Sequence, residues 1–107
     1  MSPDAAIDCH LHIIGAAERY PLDPKRRYTP AEASAPDYWK AVANTPVGRI
    51  VIVQPSFYGT DNSCLVDALR EAGDRARGVA VLDASEITDS ALQVLHEAGV
   101  RGLRINT

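Results

Sequence analysis

The sequence predicts a parallel α/β fold in which a strand-helix unit is repeated three times and closed by a fourth strand. Short apolar runs of strand length alternate with amphipathic helical stretches, and in a compact protein that alternation means a parallel sheet with right-handed crossovers. The run Arg49-Ile50-Val51-Ile52-Val53 is continuously β-branched, as expected of a strand covered on both faces. There is also an internal echo. Glu71-Ala72-Gly73 followed by Arg77-Gly78-Val79 is answered by Glu97-Ala98-Gly99 followed by Arg101-Gly102-Leu103, each a helix end, a glycine stop and a strand entered through Arg-Gly.

The first strand is expected over Ile7 to Ile14. Strict alternation would place Asp8, His10 and His12 on one face, with Ile7, Cys9, Leu11 and Ile13 on the other. Two imidazoles two residues apart on one strand face can converge on a divalent ion or on one substrate oxygen. The next twenty residues, Ala16 to Ala35, carry Pro21, Pro24 and Pro30, which forbid a long helix. This loop is locally basic through Arg19, Lys25, Arg26 and Arg27, with Tyr20 and Tyr28 interleaved. An ordered loop of that length is usually functional.

A first helix is predicted behind Ser34 as cap and Pro36 in its opening turn, with Tyr38, Trp39, Val42 and Ala43 as its apolar stripe and Trp39 as a core anchor. The second strand begins at Arg49 and is ended by Pro55, leaving Ser56 just past its C-terminal end. Asp61 and Asn62 can cap a second helix bearing Leu65, Val66, Leu69 and Ala72, with Gly73 as a left-handed stop. The third strand is expected over Gly78 to Leu82. A helix capped by Thr88 then presents Ala91, Leu92, Leu95 and Ala98, and a last strand runs from Gly102 to Asn106.

With 107 residues, 46% hydrophobic and 23% charged, the chain reads as one globular unit, residues 1–107. A net charge of −3 gives no general reason to expect nucleic acid or an anionic membrane as partner. No basic-apolar leader opens the sequence and no apolar run reaches a membrane-spanning length, so a cytoplasmic location is expected. Two cysteines do not make a disulfide framework. Cys9 is expected in the core and Cys64 on a helix without special role.

Polar residues stand at the C-terminal ends of the strands: His10, His12, Ser56, Asp83, Arg104 and Asn106. Active sites of (β/α)₈ barrels are assembled at those positions. An open doubly wound sheet fits less well, because no glycine-rich phosphate loop follows any strand. A whole barrel takes about 250 residues, so four strands and three helices correspond to roughly its N-terminal half.

Ile7-Asp8-Cys9-His10-Leu11-His12 resembles the strand-one His-x-His signature of the amidohydrolase superfamily. Arg19-Tyr20-Pro21-Leu22, Arg27-Tyr28-Thr29-Pro30, Val53-Gln54-Pro55-Ser56, Tyr58-Gly59-Thr60-Asp61-Asn62 and Gly99 to Asn106 are similar, in the same order, to the amidohydrolase-2 branch of TIM-barrel metal-dependent hydrolases and its lactonase-like members. The resemblance implies that His10 and His12 are catalytic. They would bind a divalent metal, zinc or manganese, or polarise a substrate carbonyl without one. It further implies substrate contacts from Tyr28, Ser56 and Arg104. Arg104 would hold a carboxylate of a small carboxylated substrate, a pairing its guanidinium geometry suits. The implied reaction is hydrolysis of a lactone or ester, with metal-dependent decarboxylation as its nearest competitor.

The family's later histidines and its water-activating aspartate have no counterpart in these residues, so the 107-residue chain alone is expected to be catalytically incompetent. A non-enzymatic alternative is a half-barrel that self-associates as a homo-oligomer through its exposed sheet edges.

Overall fold

In the computed structural model, residues 6–26 and 29–105 are described. Four strands, β1 (Ala6–Leu11), β2 (Val47–Val53), β3 (Ala76–Val81) and β4 (Val100–Arg104), form one sheet in the order β1-β2-β3-β4. Every neighbouring pair is parallel. Helices α1 (Ala35–Ala41), α2 (Ser63–Ala72) and α3 (Asp89–Ala98) make the three crossovers. The expected alternation is therefore present, in the sequential strand order of a barrel wall. The last three strands each begin about two residues before the positions expected from hydrophobicity alone, because Val47, Ala76 and Val100 already pair with their neighbours.

The helix starts follow local chemistry. Ser34 caps α1 in a reciprocal box, its hydroxyl accepting from the Asp37 N–H at 3.3 Å while the Asp37 carboxylate accepts from the Ser34 N–H at 3.4 Å. Thr88 caps α3 by accepting from the Ala91 N–H at 3.1 Å. At α2 the duty falls to Asp61, whose Oδ1 accepts from both the Ser63 N–H and hydroxyl. Asn62 is turned inward instead. Gly99 ends α3 in the left-handed region (φ 114°, ψ 12°), whereas Gly73 ends α2 at φ 61°, ψ −133°, outside the left-handed helical well that had been expected.

One face of the sheet holds the core. Leu11, Ile52 and Gly78 are in register and lie on the side covered by α2. Gly78 permits this contact, since a Cβ there would come within 2.7 Å of a Leu69 methyl and 3.3 Å of a Leu65 methyl. Ile50, Ile52, Leu65, Leu69, Ala76 and Ala80 are all buried in this layer. The opposite face is open toward the strand entries. On the core side of β2 Ile50 and Ile52 are buried, while on the other side Arg49 is exposed, Val51 half-buried and Val53 buried (5% exposed). The expectation of a strand covered on both faces is therefore met at the exit of β2 and not at its entry. Trp39 is likewise a half-buried flank rather than a core anchor, with the Arg75 guanidinium 3.7 Å from its ring centre.

Candidate active site

Strand β1 does not keep the alternation read from its sequence. Asp8 is in register with Ile50 and Leu11 with Ile52, so three steps of β1 oppose two of β2. That extra residue is a bulge. It divides the strand. Asp8 turns to the helix side, where the Tyr38 hydroxyl donates to its Oδ2 at 2.7 Å. Beyond the bulge Leu11 and Ile13 are buried, and His10 and His12 come together edge-to-face with ring centres 5.3 Å apart. The pairing of the two histidines follows the sequence, but the placement of Asp8 beside them does not. Cys9, on the bulge, is exposed rather than in the core, and Ile7 is 46% exposed.

His12 Nδ1 lies 2.7 Å from the Val53 carbonyl. A carbonyl oxygen only accepts, so Nδ1 carries the hydrogen. This bond fixes the ring and leaves Nε2 for chemistry: a lone pair when the ring is neutral, a second donor when it is protonated. The neutral ring suits a metal ion and the protonated ring suits a carbonyl oxygen. Two imidazoles are half of a tetrahedral zinc set. Among the described residues no group of three or more His, Cys, Asp or Glu side chains could hold a metal ion. These residues therefore do not by themselves form a metal centre.

Ser56 is exposed where the chain leaves β2, and it lines an open cleft of about 640 Å³. Lys25, Arg26, Thr60, Asp83 and Ile105 share its walls. The long loop that supplies Lys25 and Arg26 is pinned along its length. Ile14 and Ala33 exchange both backbone bonds at 2.8 Å, the Tyr20 hydroxyl donates to Asp67 at 2.6 Å, and the Asp23 N–H donates to the Phe57 carbonyl at 2.7 Å. Hydrogen bonding to Asp67, with some burial, pushes the Tyr20 hydroxyl up to about 12. Burial does the same for Tyr58, whose oxygen accepts from the Gly15 N–H at 3.1 Å, and raises the Cys64 thiol beneath them. Asp23 then orders the tip: its Oδ1 accepts from the Lys25 N–H at 2.9 Å, and its carbonyl accepts from Arg26 Nη1 at 3.2 Å. Arg26 Nε also donates to Thr29 Oγ1 at 3.1 Å.

Arg104 is in register with Val81, a wall of the same cleft, while Leu103 is in register with fully buried Ala80. Its side chain thus belongs to the face opposite the helices, although it does not line the cleft itself. Neither His10 nor His12 lines it either. Tyr28 and Asn106 lie outside the described residues.

Lys25 and Arg26 in the cleft wall were visible only as local basic charge. Asn62 was readable as a cap and nothing more. Its buried amide donates to the Val81 carbonyl at 2.9 Å and accepts from the Val81 N–H at 3.1 Å, fastening the end of β3. Gln54, fully buried, donates to the Gly59 and Asp61 carbonyls at 3.2 and 2.8 Å and shapes the same turn.

The family model described as amidohydrolase matches residues 7–107. A 2-pyrone-4,6-dicarboxylate hydrolase of Comamonas testosteroni is 42% identical over 97% of this chain and 34% of its own length. A 4-sulfomuconolactone hydrolase of Hydrogenophaga intermedia is 29% identical over 95% of this chain and 33% of its own. The crystal structure of a probable 2-pyrone-4,6-dicarboxylic acid hydrolase from Acinetobacter baumannii, with citric acid bound, superimposes with a TM-score of 0.82 at 30% identity, covering 92% of this chain and 36% of that one. The chain thus spans about a third of the length of these relatives. Its four parallel strands and three crossover helices are the corresponding part of their TIM-barrel fold, and the chain belongs to the amidohydrolase family.

Proposed function

We propose that these residues supply part of the active site of a lactone hydrolase acting on a small carboxylated substrate. The observation that carries this is the paired His10 and His12, aimed together by the bulge and with His12 fixed through Nδ1 so that Nε2 is presented. Arg104 on the open face and the ordered Lys25-Arg26 tip supply cations for carboxylates, and Ser56 a hydroxyl on the cleft wall. The names of the two hydrolases, both lactone-cleaving, and the citrate in the Acinetobacter protein support the same chemistry.

The histidines act as electrophiles on the lactone carbonyl, stabilising the charge that develops on its oxygen during attack by water. Asp8, the carboxylate next to His10, is already engaged by the Tyr38 hydroxyl and the His10 N–H, so the proton of that water goes to another group. On this reading these residues bind and polarise the substrate, and the water-activating group is not among them. Titrating the purified chain with 2-pyrone-4,6-dicarboxylate, with heats of binding and pyrone absorbance followed in parallel, tests this. Saturable binding weakened by Arg104→Ala and His12→Ala is expected. Absence of binding would refute the reading, and turnover would place the water-activating group within these residues.

A second reading, self-association, rests on Leu103 (44% exposed) at the β4 edge, which has no further strand beside it among the described residues and where Leu103 lines an apolar groove with Leu92 and Leu95. Native mass spectrometry distinguishes a dimer from a monomer directly.

A further inference from the structure

We infer that Asp8 and Tyr38 are positioning residues for His10, holding the bulge that turns the histidine pair onto the open face; this rests on the lactone-hydrolase reading above. A bulge interrupts the regular ladder of a strand. Within this one the exposed His10 N–H donates to Asp8 Oδ1 at 3.2 Å, two residues back in the chain, and so has a fixed partner in place of water. Asp side chains form this local bond readily because their reach matches the backbone two residues on.

The other oxygen is what makes the arrangement directional. Asp8 Oδ2 accepts from the Tyr38 hydroxyl at 2.7 Å, a charge-assisted bond from α1 across to the strand. The carboxylate is therefore clamped from two sides, one bond fixing it to the helix layer and the other fixing the His10 backbone to it. Asp8 on the helix side, one extra residue, and His10 and His12 on the open side form a single linked arrangement. In an unbulged strand Asp8 would share the histidines' face, and a third polar group would crowd the site.

The test uses the purified chain and reports on geometry before activity. Backbone exchange of the His10 amide and the cross-peak between the His10 and His12 ring protons are measured by NMR. The wild type is compared with Tyr38→Phe, which removes one hydroxyl, Asp8→Asn, which keeps one acceptor, and Asp8→Ala. Loss of a bond to a charged group is expected to speed His10 amide exchange roughly tenfold in Asp8→Ala and to weaken the ring cross-peak. Tyr38→Phe should show a smaller change of the same kind, and Asp8→Asn partial protection. A merely structural role would lower the melting temperature while leaving His10 exchange in line with its strand neighbours. That result in folded Tyr38→Phe and Asp8→Asn overturns the inference, even where Asp8→Ala does not fold. Failure of the wild type to bind the pyrone dicarboxylate would count against the proposed function alone, because the NMR comparison does not depend on substrate.

Discussion

Replacing Asn62 with alanine tests the connection between the cleft and the sheet. The Asn62 side chain is buried (8% exposed) and makes paired bonds to the backbone of Val81, donating to the carbonyl at 2.9 Å and accepting from the N–H at 3.1 Å. It thereby behaves as one more rung on β3, supplied from the turn before α2. Val81 is itself buried (4% exposed), so water does not easily replace the lost partner. A buried group left without its bond costs about 1–3 kcal/mol, so truncation leaving two such groups is expected to cost about 2–4 kcal/mol after partial relaxation. The third bond, to the Thr60 carbonyl at 3.2 Å, adds little because Thr60 is exposed.

With a urea slope of about 1.5 kcal/mol/M, that loss lowers the unfolding midpoint by roughly 1.3–2.7 M, a large fraction of what a domain of this size commands. Trp39 fluorescence follows the transition. Asn62→Asp sharpens the argument: it keeps an acceptor for the Val81 N–H but turns a carboxylate toward the Val81 carbonyl, so near neutral pH it should be no better than alanine. A midpoint shift below about 0.5 M for Asn62→Ala, with unchanged slope, would refute the claim that this amide carries the end of β3.

Three further outcomes are expected. Gly78→Val forces side-chain atoms against fully buried Leu69, and overpacking of this kind should destabilise by about 1–3 kcal/mol, read as a drop in melting temperature. Gly59→Ala combines a backbone held at φ 57° with a Cβ 2.7 Å from Asp23 Oδ2, so at a cost of about 1–2 kcal/mol it should loosen the Lys25-Arg26 tip and speed limited proteolysis there. Tyr20, Tyr38 and Tyr58 are each raised from 10.0 to about 12, which means that the fold favours the neutral phenol. Their contribution is fully present below about pH 10 and is lost as pH rises through about 12. Denaturation curves from pH 9 upward should show this decline, and Tyr38→Phe should make it shallower.

Much of the architecture could be read from local chemistry because local chemistry decides it. Ser34 and Thr88 cap their helices as their sequence positions indicate, and the β-branched run of β2 forms a strand whatever lies beside it. The errors fall where a partner distant in sequence decides. Alternation across Ile7 to Ile14 assumed one unbroken pleat, but register against β2 inserts a residue, and every assignment before the insertion changes side. Ile7, Asp8 and Cys9 were misplaced for that one reason, while His10 and His12, which lie together beyond Asp8, kept their relation. Asn62 has the composition of a cap, and only the approach of β3 to its side chain reveals the other use. Lys25 and Arg26 follow no period at all, so their place in the cleft depends on how Asp23 docks against Phe57 and Gly59.

The open face of the sheet is graded along the strands, and the grading bears on what the face can accept. Arg49 and Arg77 are exposed near the strand entries, Val51 and Val79 lie half-buried at mid-height, and His12 and Arg104 stand near the exits. Among the described residues the ion pair of 4 Å or less is Arg19 with Asp67, on the loop side, so the entry arginines are not neutralised by carboxylates of this face. Anything packed across it therefore has to present apolar groups to Val51 and Val79 and acceptors to the arginines. The polar groups cluster at the exit end, where His12 is fixed by the Val53 carbonyl and the cleft opens beside Ser56. On the proposed function, substrate binding belongs to that end and packing to the rest of the surface. Substitutions at Arg49 or Arg77 should consequently leave pyrone dicarboxylate binding unchanged, whereas those at His12 or Arg104 should not.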